Sequence, residues 1–331
     1  MRNRTVHARC VVNAAGPWAI DVLHMAVKHP VDKKLRLIKG SHIIVKKLFD
    51  HPYAYIFQHP DQRIVFAIPY ETNFTLIGTT DLEFHGNPDQ LAIDDNEIAY
   101  LCDLANRYFQ QPITSADVVW SYSGVRPLVE DAASNASAVT RDYRFAFDTD
   151  GAPLLSIFGG KITTFRKLAE QAVDLITAKL GSHHGAWTAG VCLPGGDLFR
   201  AQPENRAVLE FDAYVALLQR RYAWLPPALV ARYARAYGTR IDLLLRDRTN
   251  IADMGMEIGA GLFAAEVEYW IEHEWAVSPV DMLWRRSKLG LHLSKDARNA
   301  LASWLSEYGR TFLPFELRPS HHIKNPSPRR T

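Results

Sequence analysis

The stretch LSIFGGKITTFRKLAE, residues 155–170, joins an apolar strand to an amphipathic helix through Gly159 and Gly160. Two glycines allow unusual backbone angles and let a ligand approach the main chain closely. The helix start offers free N–H groups and a positive dipole end, which suit an anion or a ring carbonyl that gains negative charge. Lys161 adds a full positive charge there. An ordinary strand-to-helix turn with a solvated lysine explains the same residues, and the stretch does not satisfy the Walker A pattern.

The chain before this turn is rich in strand signals. Runs of β-branched and aromatic residues, bounded by turn residues, predict strands at 6–14, 41–45, 63–68, 74–78, 118–123 and 154–158. One helix is predicted at 18–27. A second begins at Asp94, which has the spacing of a capping box with Glu97. We therefore expect a largely β-sheet region with few helices.

The chain after the turn changes character. Residues 163–180 predict a helix with one apolar face, and Gly181 stands where a C-terminal cap belongs. The stretch LPGGD, residues 193–197, predicts a linker. Residues 204–310 are rich in Ala, Leu and Arg and predict several helices, so we expect a separate helical domain there.

Composition excludes several classes of protein. The 331 residues are 47% apolar and 22% charged, which is typical of a soluble globular protein, and the net charge of +2 gives no indication of nucleic-acid binding. The three cysteines are far apart, so neither a disulfide framework nor a zinc site is indicated, and we predict no metal site. No run approaches the roughly 18 consecutive apolar residues of a membrane span. Peripheral attachment to a membrane stays open.

Two short motifs carry candidate functional side chains. In SGVRPL, residues 123–128, Arg126 lies between a strand end, a glycine and a proline, which suits forked binding of carboxylate or phosphate. In GSH, residues 40–42, His42 begins a strand and is a candidate general base. A surface arginine and a structural histidine are the simpler alternatives at this point.

A third motif resembles a nucleotide-binding loop without its context. GAGLFA, residues 259–264, satisfies Gly-x-Gly-x-x-Ala, and Asp281 lies 20 residues past Gly261. No buried strand is predicted before it, although dinucleotide binding requires one. We therefore do not predict a nucleotide site there.

The motifs occur in an order that resembles the aerobic FAD-dependent glycerol-3-phosphate dehydrogenases, which are D-amino-acid-oxidase-like flavoproteins. The resemblance covers about residues 5–295. It rests on VVNAAGPW (11–18), LIKGSH (37–42), DQRIVFAIPY (61–70), IGTTD (77–81), SGVRPL (123–128), TRDY (140–143), GGKITT (159–164), EWA (274–276) and LWRRSKLGL (283–291).

The resemblance implies an α+β fold. A partial, Rossmann-like FAD-binding domain would accompany a substrate domain with a mixed or antiparallel β-sheet, followed by an all-α carboxy-terminal cap domain. The segments expected are 1–35 as a remnant of the FAD-binding domain, 36–152 as the β-rich substrate domain, 153–182 as a strand-turn-helix returning to the FAD domain, 183–200 as a linker, 201–312 as the helical cap domain and 313–331 as a disordered tail.

The resemblance also implies site residues. His42, Arg126 and Lys161 would be catalytic, and Arg126 and Lys161, with Arg141 in addition, would bind substrate. The residues expected to contact FAD are Asn13, Ala14, Ala15, Gly16, Trp18, Gly159, Gly160, Lys161, Ile162, Thr163 and Thr164.

The reaction implied is the oxidation of sn-glycerol 3-phosphate to dihydroxyacetone phosphate. Hydride would pass from C2 to FAD while His42 takes the hydroxyl proton, and Arg126 and Lys161 would hold substrate oxygens. Electrons would go on to a quinone, which implies a peripheral protein on the inner, cytoplasmic face of the cell membrane. An oxidase that reduces oxygen belongs to the same family, and the resemblance admits a homodimer.

One expected feature is missing from these residues. The family begins with a Gly-x-Gly-x-x-Gly turn that holds the FAD pyrophosphate, and no such amino-terminal FAD-binding segment occurs here. Either an upstream segment has been lost or a second polypeptide supplies it. A non-catalytic fragment without FAD and a phosphate-binding module that uses Arg126 and Lys161 are the competing interpretations.

Overall fold

The computed structural model describes residues 5–27, 34–58, 63–129, 142–181 and 185–311. They belong to two compact units, Met1–Ala186 and Trp187–Thr331, and the division falls inside the segment predicted to be a linker. The predicted domain boundaries stay predictions. The tail at 313–331 lies outside the described residues.

The first unit is built mainly from strands. Its strands are β1 (Val11–Asn13), β2 (Leu35–Lys46), β3 (Tyr55–Gln58), β4 (Ile64–Tyr70), β5 (Phe74–Gly78), β6 (Leu82–Phe84), β7 (Val118–Val129), β8 (Tyr143–Asp148) and β9 (Leu154–Gly159). Its helices are α1 (Ala19–Ala26), α2 (Asp95–Asn106) and α3 (Phe165–Leu180). Short 3-10 turns at Gly16–Trp18 and Ile162–Thr164 precede α1 and α3.

A three-stranded sheet has the order β1-β9-β8. Strands β1 and β9 run parallel, with Val11 opposite Leu154, and β8 pairs with β9 in the antiparallel sense. Helix α1 packs Ala19 and Leu23 against Leu154 and Phe158 of β9. Of the strand predicted at 6–14 only β1 forms, because β9 begins at Leu154 and the first ladder contact is from Val11 N to Pro153 O.

The second sheet has six strands and is antiparallel throughout. Its order is β3-β4-β5-β2-β6, and β7 pairs along the other side of β2. Successive side chains of a strand point to opposite faces. One face is covered by α2, whose Leu101 and Leu104 pack against Ile43 and Ile77. The other face carries the predicted site residues of β2 and β7.

Local sequence signals decide where two helices of this unit begin and end. Asp94 accepts a hydrogen bond from the Glu97 N–H at 2.9 Å, and Glu97 accepts one from the Asp94 N–H at 3.1 Å, so the predicted capping box is confirmed. Helix α3 ends at Gly181, whose φ of +71° is the left-handed conformation of a C-terminal cap. Both helix ends therefore lie where the sequence predicts them.

The second unit is helical. It contains α4 (Arg206–Leu209), α5 (Phe211–Arg221), α6 (Pro227–Tyr237), α7 (Ile241–Leu244), α8 (Ala264–Glu274) and α9 (Lys295–Thr311), with a π-helical turn at Asp281–Arg286. Leu218, Val230 and Trp270 are at most 1% exposed in its core. None of the helices within the described ranges has the length and apolarity that crossing a bilayer requires.

The predicted α+β class with a helical carboxy-terminal region is confirmed, with one addition. A short hairpin, β10 (Glu257–Gly259) and β11 (Leu262–Phe263), lies within the helical unit. The GAGLFA motif forms its turn, with positive φ at Gly259, Ala260 and Gly261. Two strands this short offer too few alternating residues to be predicted from sequence. Glycines in a hairpin turn also lack the strand–turn–helix context that nucleotide binding requires.

Candidate functional site

Both segments expected to contact FAD lie at one edge of the three-stranded sheet. Asn13 ends β1 and Gly159 ends β9, and the two strands are parallel neighbours. The turn at 14–18 and the turn at 160–164 therefore emerge at the same end of the sheet, with β9 extending three residues past Ser156, which lies opposite Asn13. In open α/β sheets this is the edge where ligands bind.

The glycine pair shapes its turn. Gly159 and Gly160 have φ of +70° and +96°. A Cβ on Gly159 would lie 3.0 Å from the Asp142 carbonyl oxygen, and one on Gly160 would lie 3.2 Å from Tyr143 Cβ. Both contacts are to neighbouring protein, so the chain's own packing requires the two glycines, whatever ligand approaches the outer side.

Asn13 holds the other turn together. Its side-chain amide donates to the Ala19 carbonyl at 2.8 Å and to Ser156 Oγ at 3.3 Å, and its oxygen accepts from the Ala15 N–H at 3.3 Å. Asn13 is 3% exposed. Its side chain therefore fixes the turn, and its contact with FAD stays a prediction.

The outer surface of these two turns fits a flavin. Ile162 and Trp18 are 88% and 39% exposed, and Lys161 is exposed beside them in sequence. The 3-10 turn that leads into α3 begins at Lys161 without a side-chain cap. Uncapped N–H groups and the positive end of the helix dipole suit a ring carbonyl that gains negative charge. The residues present thus fit the FAD that the family resemblance implies.

His42 lies on the face of the six-stranded sheet opposite α2. It pairs with Tyr122 of β7 and stacks on that ring, with centroids 4.8 Å apart and planes 10° from parallel. On its other side it packs against Gly78, where a Cβ would lie 2.7 Å from His42 Cγ. His42 Nδ1 is buried and has no hydrogen-bond partner among the described residues. The imidazole is therefore clamped between two strands.

This environment keeps His42 neutral. Burial first, and then the positive charge of Arg126, lowers the pKa of His42 below its usual 6.5. Burial also raises the pKa of Tyr122, so the stacked ring stays a phenol. A neutral imidazole at physiological pH is the form that accepts a proton.

Arg126 reaches toward His42 along the same face. It pairs with Ile38 of β2, four residues from His42, and its guanidinium extends back over Gly40. A Cβ on Gly40 would lie 3.1 Å from Arg126 Nη2. Arg126 Nη1 donates to Asp81 Oδ1 at 2.8 Å. The side chain is thus fixed by one carboxylate while it stays 38% exposed.

The strand that carries Arg126 also reaches the glycine turn. The carbonyl oxygen of Pro127, the next residue, lies 3.6 Å from the position of a Cβ on Gly159. The Gly16–Trp18 turn also lies against β7. The strand of Arg126 therefore lies close to both segments that are predicted to contact FAD.

Lys161 and Arg141 are the remaining predicted substrate-binding residues. Lys161 lies at that edge on the turn after β9, but none of the contacts found among the described residues joins it to His42 or Arg126. Arg141 lies outside the described residues. The roles assigned to the site residues stay predictions.

Sequence reasoning missed the residues that hold the site. Asp81 ends the IGTTD motif and Tyr122 lies in the strand predicted at 118–123, yet the sequence assigns a role to neither. Gly78 and Gly40 make room for the His42 ring and the Arg126 guanidinium. Their glycine identity, at strand positions on one face, was the available signal, since an interior strand glycine often marks a close approach of another group.

Comparison with known proteins agrees with the motifs. Residues 2–166 match the family described as FAD dependent oxidoreductase, and residues 186–311 match the C-terminal domain of alpha-glycerophosphate oxidase. The chain is 45% identical over 303 residues to glycerol-3-phosphate dehydrogenase of Pseudomonas aeruginosa and 43% identical over 303 residues to the aerobic enzyme of Escherichia coli. It is 42% identical over 302 residues to D-erythritol 1-phosphate dehydrogenase of Brucella abortus.

These matches cover most of this chain and only part of the relatives. Each of the three covers 91% of this chain, which in turn spans 57–59% of their length. The crystal structure of glycerol-3-phosphate dehydrogenase from Bacillus halodurans, complexed with FAD, is similar with a TM-score of 0.77 and 27% identity over 95% of this chain and 60% of that one. On its motifs, its fold and these matches, the chain belongs to the FAD-dependent oxidoreductase family, together with glycerol-3-phosphate dehydrogenases and alpha-glycerophosphate oxidase.

Proposed function

We propose that this protein oxidises sn-glycerol 3-phosphate to dihydroxyacetone phosphate with FAD as its cofactor. The observation that carries the proposal is that a neutral His42 and the fixed cation Arg126 lie on one face of the same sheet, and that Pro127, the residue after Arg126, lies against the Gly159 turn. A proton acceptor and an anion-binding group on one face of a sheet suit the oxidation of a phosphorylated secondary alcohol.

The residues of this chain have distinct roles in the proposal. Bound FAD supplies the acceptor for the hydride that leaves C2. His42 accepts the proton of the C2 hydroxyl at Nε2, since its Nδ1 is buried. Arg126 and Lys161 hold substrate oxygens and stabilise the negative charge that develops on O2. Trp18, Ile162 and the uncapped helix start would hold the flavin.

The electron acceptor and the location follow from the family resemblance. We propose that electrons pass to a quinone and that the protein is peripheral on the inner, cytoplasmic face of the cell membrane, as a homodimer. Transfer to oxygen is the alternative acceptor, because residues 186–311 match the domain described for an oxidase. Hydrogen peroxide formed in step with substrate oxidation distinguishes oxygen from a quinone.

One relative indicates a second candidate substrate. The D-erythritol 1-phosphate dehydrogenase matches almost the same extent of this chain as the glycerol-3-phosphate dehydrogenases, at 42% identity against 43–45%. Both substrates are phosphate monoesters with a secondary alcohol, and both suit a histidine base beside an arginine. The substrate class is therefore a short polyol phosphate, with glycerol 3-phosphate favoured.

The proposal is tested by spectroscopy on the 331-residue chain. The purified protein is incubated with FAD, passed through gel filtration and scanned for flavin bands. Under anaerobic conditions, sn-glycerol 3-phosphate should bleach those bands faster than D-erythritol 1-phosphate, and His42→Gln should retain the bands but bleach slowly. A chain that elutes colourless, or a flavin that neither substrate bleaches, contradicts the proposal.

A further inference from the structure

A buried carboxylate lies on the face of the six-stranded sheet opposite His42. Glu97 of α2 is 3% exposed. Its Oε1 accepts hydrogen bonds from Ser41 Oγ at 2.8 Å and from Thr80 Oγ1 at 2.7 Å. Its Oε2 lies 2.6 Å from Lys39 Nζ and accepts from the Asp94 N–H at 3.1 Å. One carboxylate therefore joins a helix to two segments of the sheet.

Each of those segments carries a side chain of the candidate site. Ser41 immediately precedes His42, and Thr80 immediately precedes Asp81, the partner of Arg126. Because strand side chains alternate, Ser41 points toward Glu97 while His42 points to the other face. The two segments are also joined directly, by the hydrogen bond from the Ser41 N–H to Thr80 Oγ1 at 2.9 Å.

The network extends to the third strand of the site. Ser41 Oγ lies 2.8 Å from Ser123 Oγ of β7, the residue after Tyr122. Ser41 and Thr80 are each at most 1% exposed. Buried polar groups that are fully hydrogen-bonded fix their surroundings more firmly than apolar contacts do. This network therefore fixes the backbone that carries His42, Tyr122 and Asp81. It does so from the face of the sheet that α2 covers.

Packing alone does not require this carboxylate. Helix α2 already buries Leu101 and Leu104 against the sheet, and its capping box uses only Oε2 of Glu97. Burying a carboxylate costs several kcal/mol unless it is well paired, and an apolar residue of similar volume is often equally stabilising. A role as a helix cap does not explain the hydrogen bonds that Oε1 accepts from Ser41 and Thr80.

We propose that Glu97 is a positioning residue, which holds Arg126 in place over Gly40 by fixing Thr80 and Asp81 and holds His42 by fixing Ser41. This inference rests on the proposed function for its catalytic meaning. The charged groups that face Glu97 are Lys39 on β2 and Asp94 at the start of α2. Arg63, which precedes β4, lines a pocket of 280 Å³ together with Glu97 and Asp94.

The pKa of His42 reports on this role without any cofactor. The charge of Arg126 lowers that pKa, so release of Arg126 from its place should raise it toward 6.5. Loss of a nearby unit charge that solvent largely screens shifts a pKa by roughly half a unit. Loss of the Glu97 charge by itself acts in the opposite direction, because removal of a nearby anion lowers the pKa of a histidine.

The sharpest test uses a matched pair of threonines in the 331-residue chain. Thr80→Val removes the hydroxyl that joins Glu97 to the Asp81 segment, and with it the acceptor of the Ser41 N–H, and leaves the Lys39 ion pair intact. Thr75→Val is the control, since Thr75 is 1% exposed in the same sheet and its hydroxyl accepts from the Leu48 N–H at 3.0 Å without contacting Glu97. The pKa of His42 is measured by NMR titration of its ring protons in each variant.

We expect Thr80→Val to raise the pKa of His42 by roughly half a unit, and Thr75→Val to leave it at the wild-type value. Glu97→Gln, which keeps the shape of the side chain, should also raise it if it folds. Equal values in Thr80→Val, Thr75→Val and wild type overturn the proposal, as does a lower pKa in a folded Glu97→Gln. The NMR titration needs neither FAD nor turnover, so it tests this proposal even if the proposed function is wrong.

Discussion

The guanidinium of Arg126 donates to the carboxylate of Asp81 at 2.8 Å, although the two residues are 45 positions apart in the chain. This ion pair aims Arg126 over Gly40 and along the strand toward His42. Both side chains are about one third exposed, at 38% and 30%, so solvent screens the pair. Its value therefore lies in orientation more than in stability.

Asp81→Asn should separate these two contributions. We expect a loss of less than about 1 kcal/mol in the free energy of unfolding, because the pair is screened. The KM for the phosphate substrate should rise by about tenfold or more, because the arginine loses its fixed direction. Denaturant unfolding and steady-state kinetics of FAD-loaded protein measure the two effects. The control is Glu83→Gln, which removes the comparable Arg36 pair at 3.1 Å from the same sheet and should leave KM unchanged.

Acidification should destabilise the fold through His42. The unfolded chain binds a proton at about pH 6.5, whereas the folded chain does so only at a lower pH because its pKa is lowered. As pH falls through 6.5 the unfolded state holds more protons, so the free energy of unfolding decreases until the folded pKa is passed. This contribution is fully present above pH 6.5. In His42→Gln the free energy of unfolding, measured by denaturant titration, should fall less steeply between pH 7 and pH 5 than in the wild type. An equal fall in both proteins would contradict the assignment.

Gly78→Ala should displace the imidazole. The added Cβ would lie 2.7 Å from His42 Cγ and 2.8 Å from Nε2, closer than unbonded atoms approach. Overpacking of this kind costs about 1–3 kcal/mol. Gly124→Ala is the matched control, because it lies on β7 opposite Gly40 and a Cβ there meets nothing within 4 Å. Denaturant unfolding of the two variants should differ by at least 1 kcal/mol, and similar stabilities would show that the ring does not occupy this position.

The helical unit depends on a buried ion pair. Glu266 is fully buried and accepts two hydrogen bonds of 2.7 Å from Arg232 and one of 2.5 Å from Tyr237. Arg232→Met should cost about 3–5 kcal/mol, because it leaves a buried carboxylate without its countercharge. Arg206→Met, which removes the exposed pair with Glu210, should change the stability far less, because solvent screens that pair. Thermal unfolding of both variants checks the contrast.

Features that depend on neighbouring residues were predictable. The capping box of Asp94 and Glu97, the left-handed cap at Gly181 and the strand–turn–helix around Gly159 all occur where the sequence places them. Each involves residues within a few positions of one another, so no knowledge of the partner strand is needed. The family resemblance used the same local blocks, and the comparisons confirm it.

Short edge strands escaped prediction. Strands β3 and β6 have four and three residues, and β8 follows a segment outside the described residues. Strands of this length contain too few alternating residues to be distinguished from loop. They form because a longer neighbouring strand provides backbone hydrogen-bond partners. Strand β2 provides these partners for β6 through Leu37–Lys39.

The identity of the candidate base, the arginine and the glycine turn was readable from residues close together in the chain, because side-chain chemistry and turn geometry are local properties. Which groups surround them was decided only on folding. The register of β2 against β7 sets Tyr122 beside His42, and a slip of one residue would turn either side chain to the face covered by α2. Asp81, Glu97 and Gly78 acquire their roles through such pairings, since contacts between distant segments depend on sheet register and packing that no local pattern specifies.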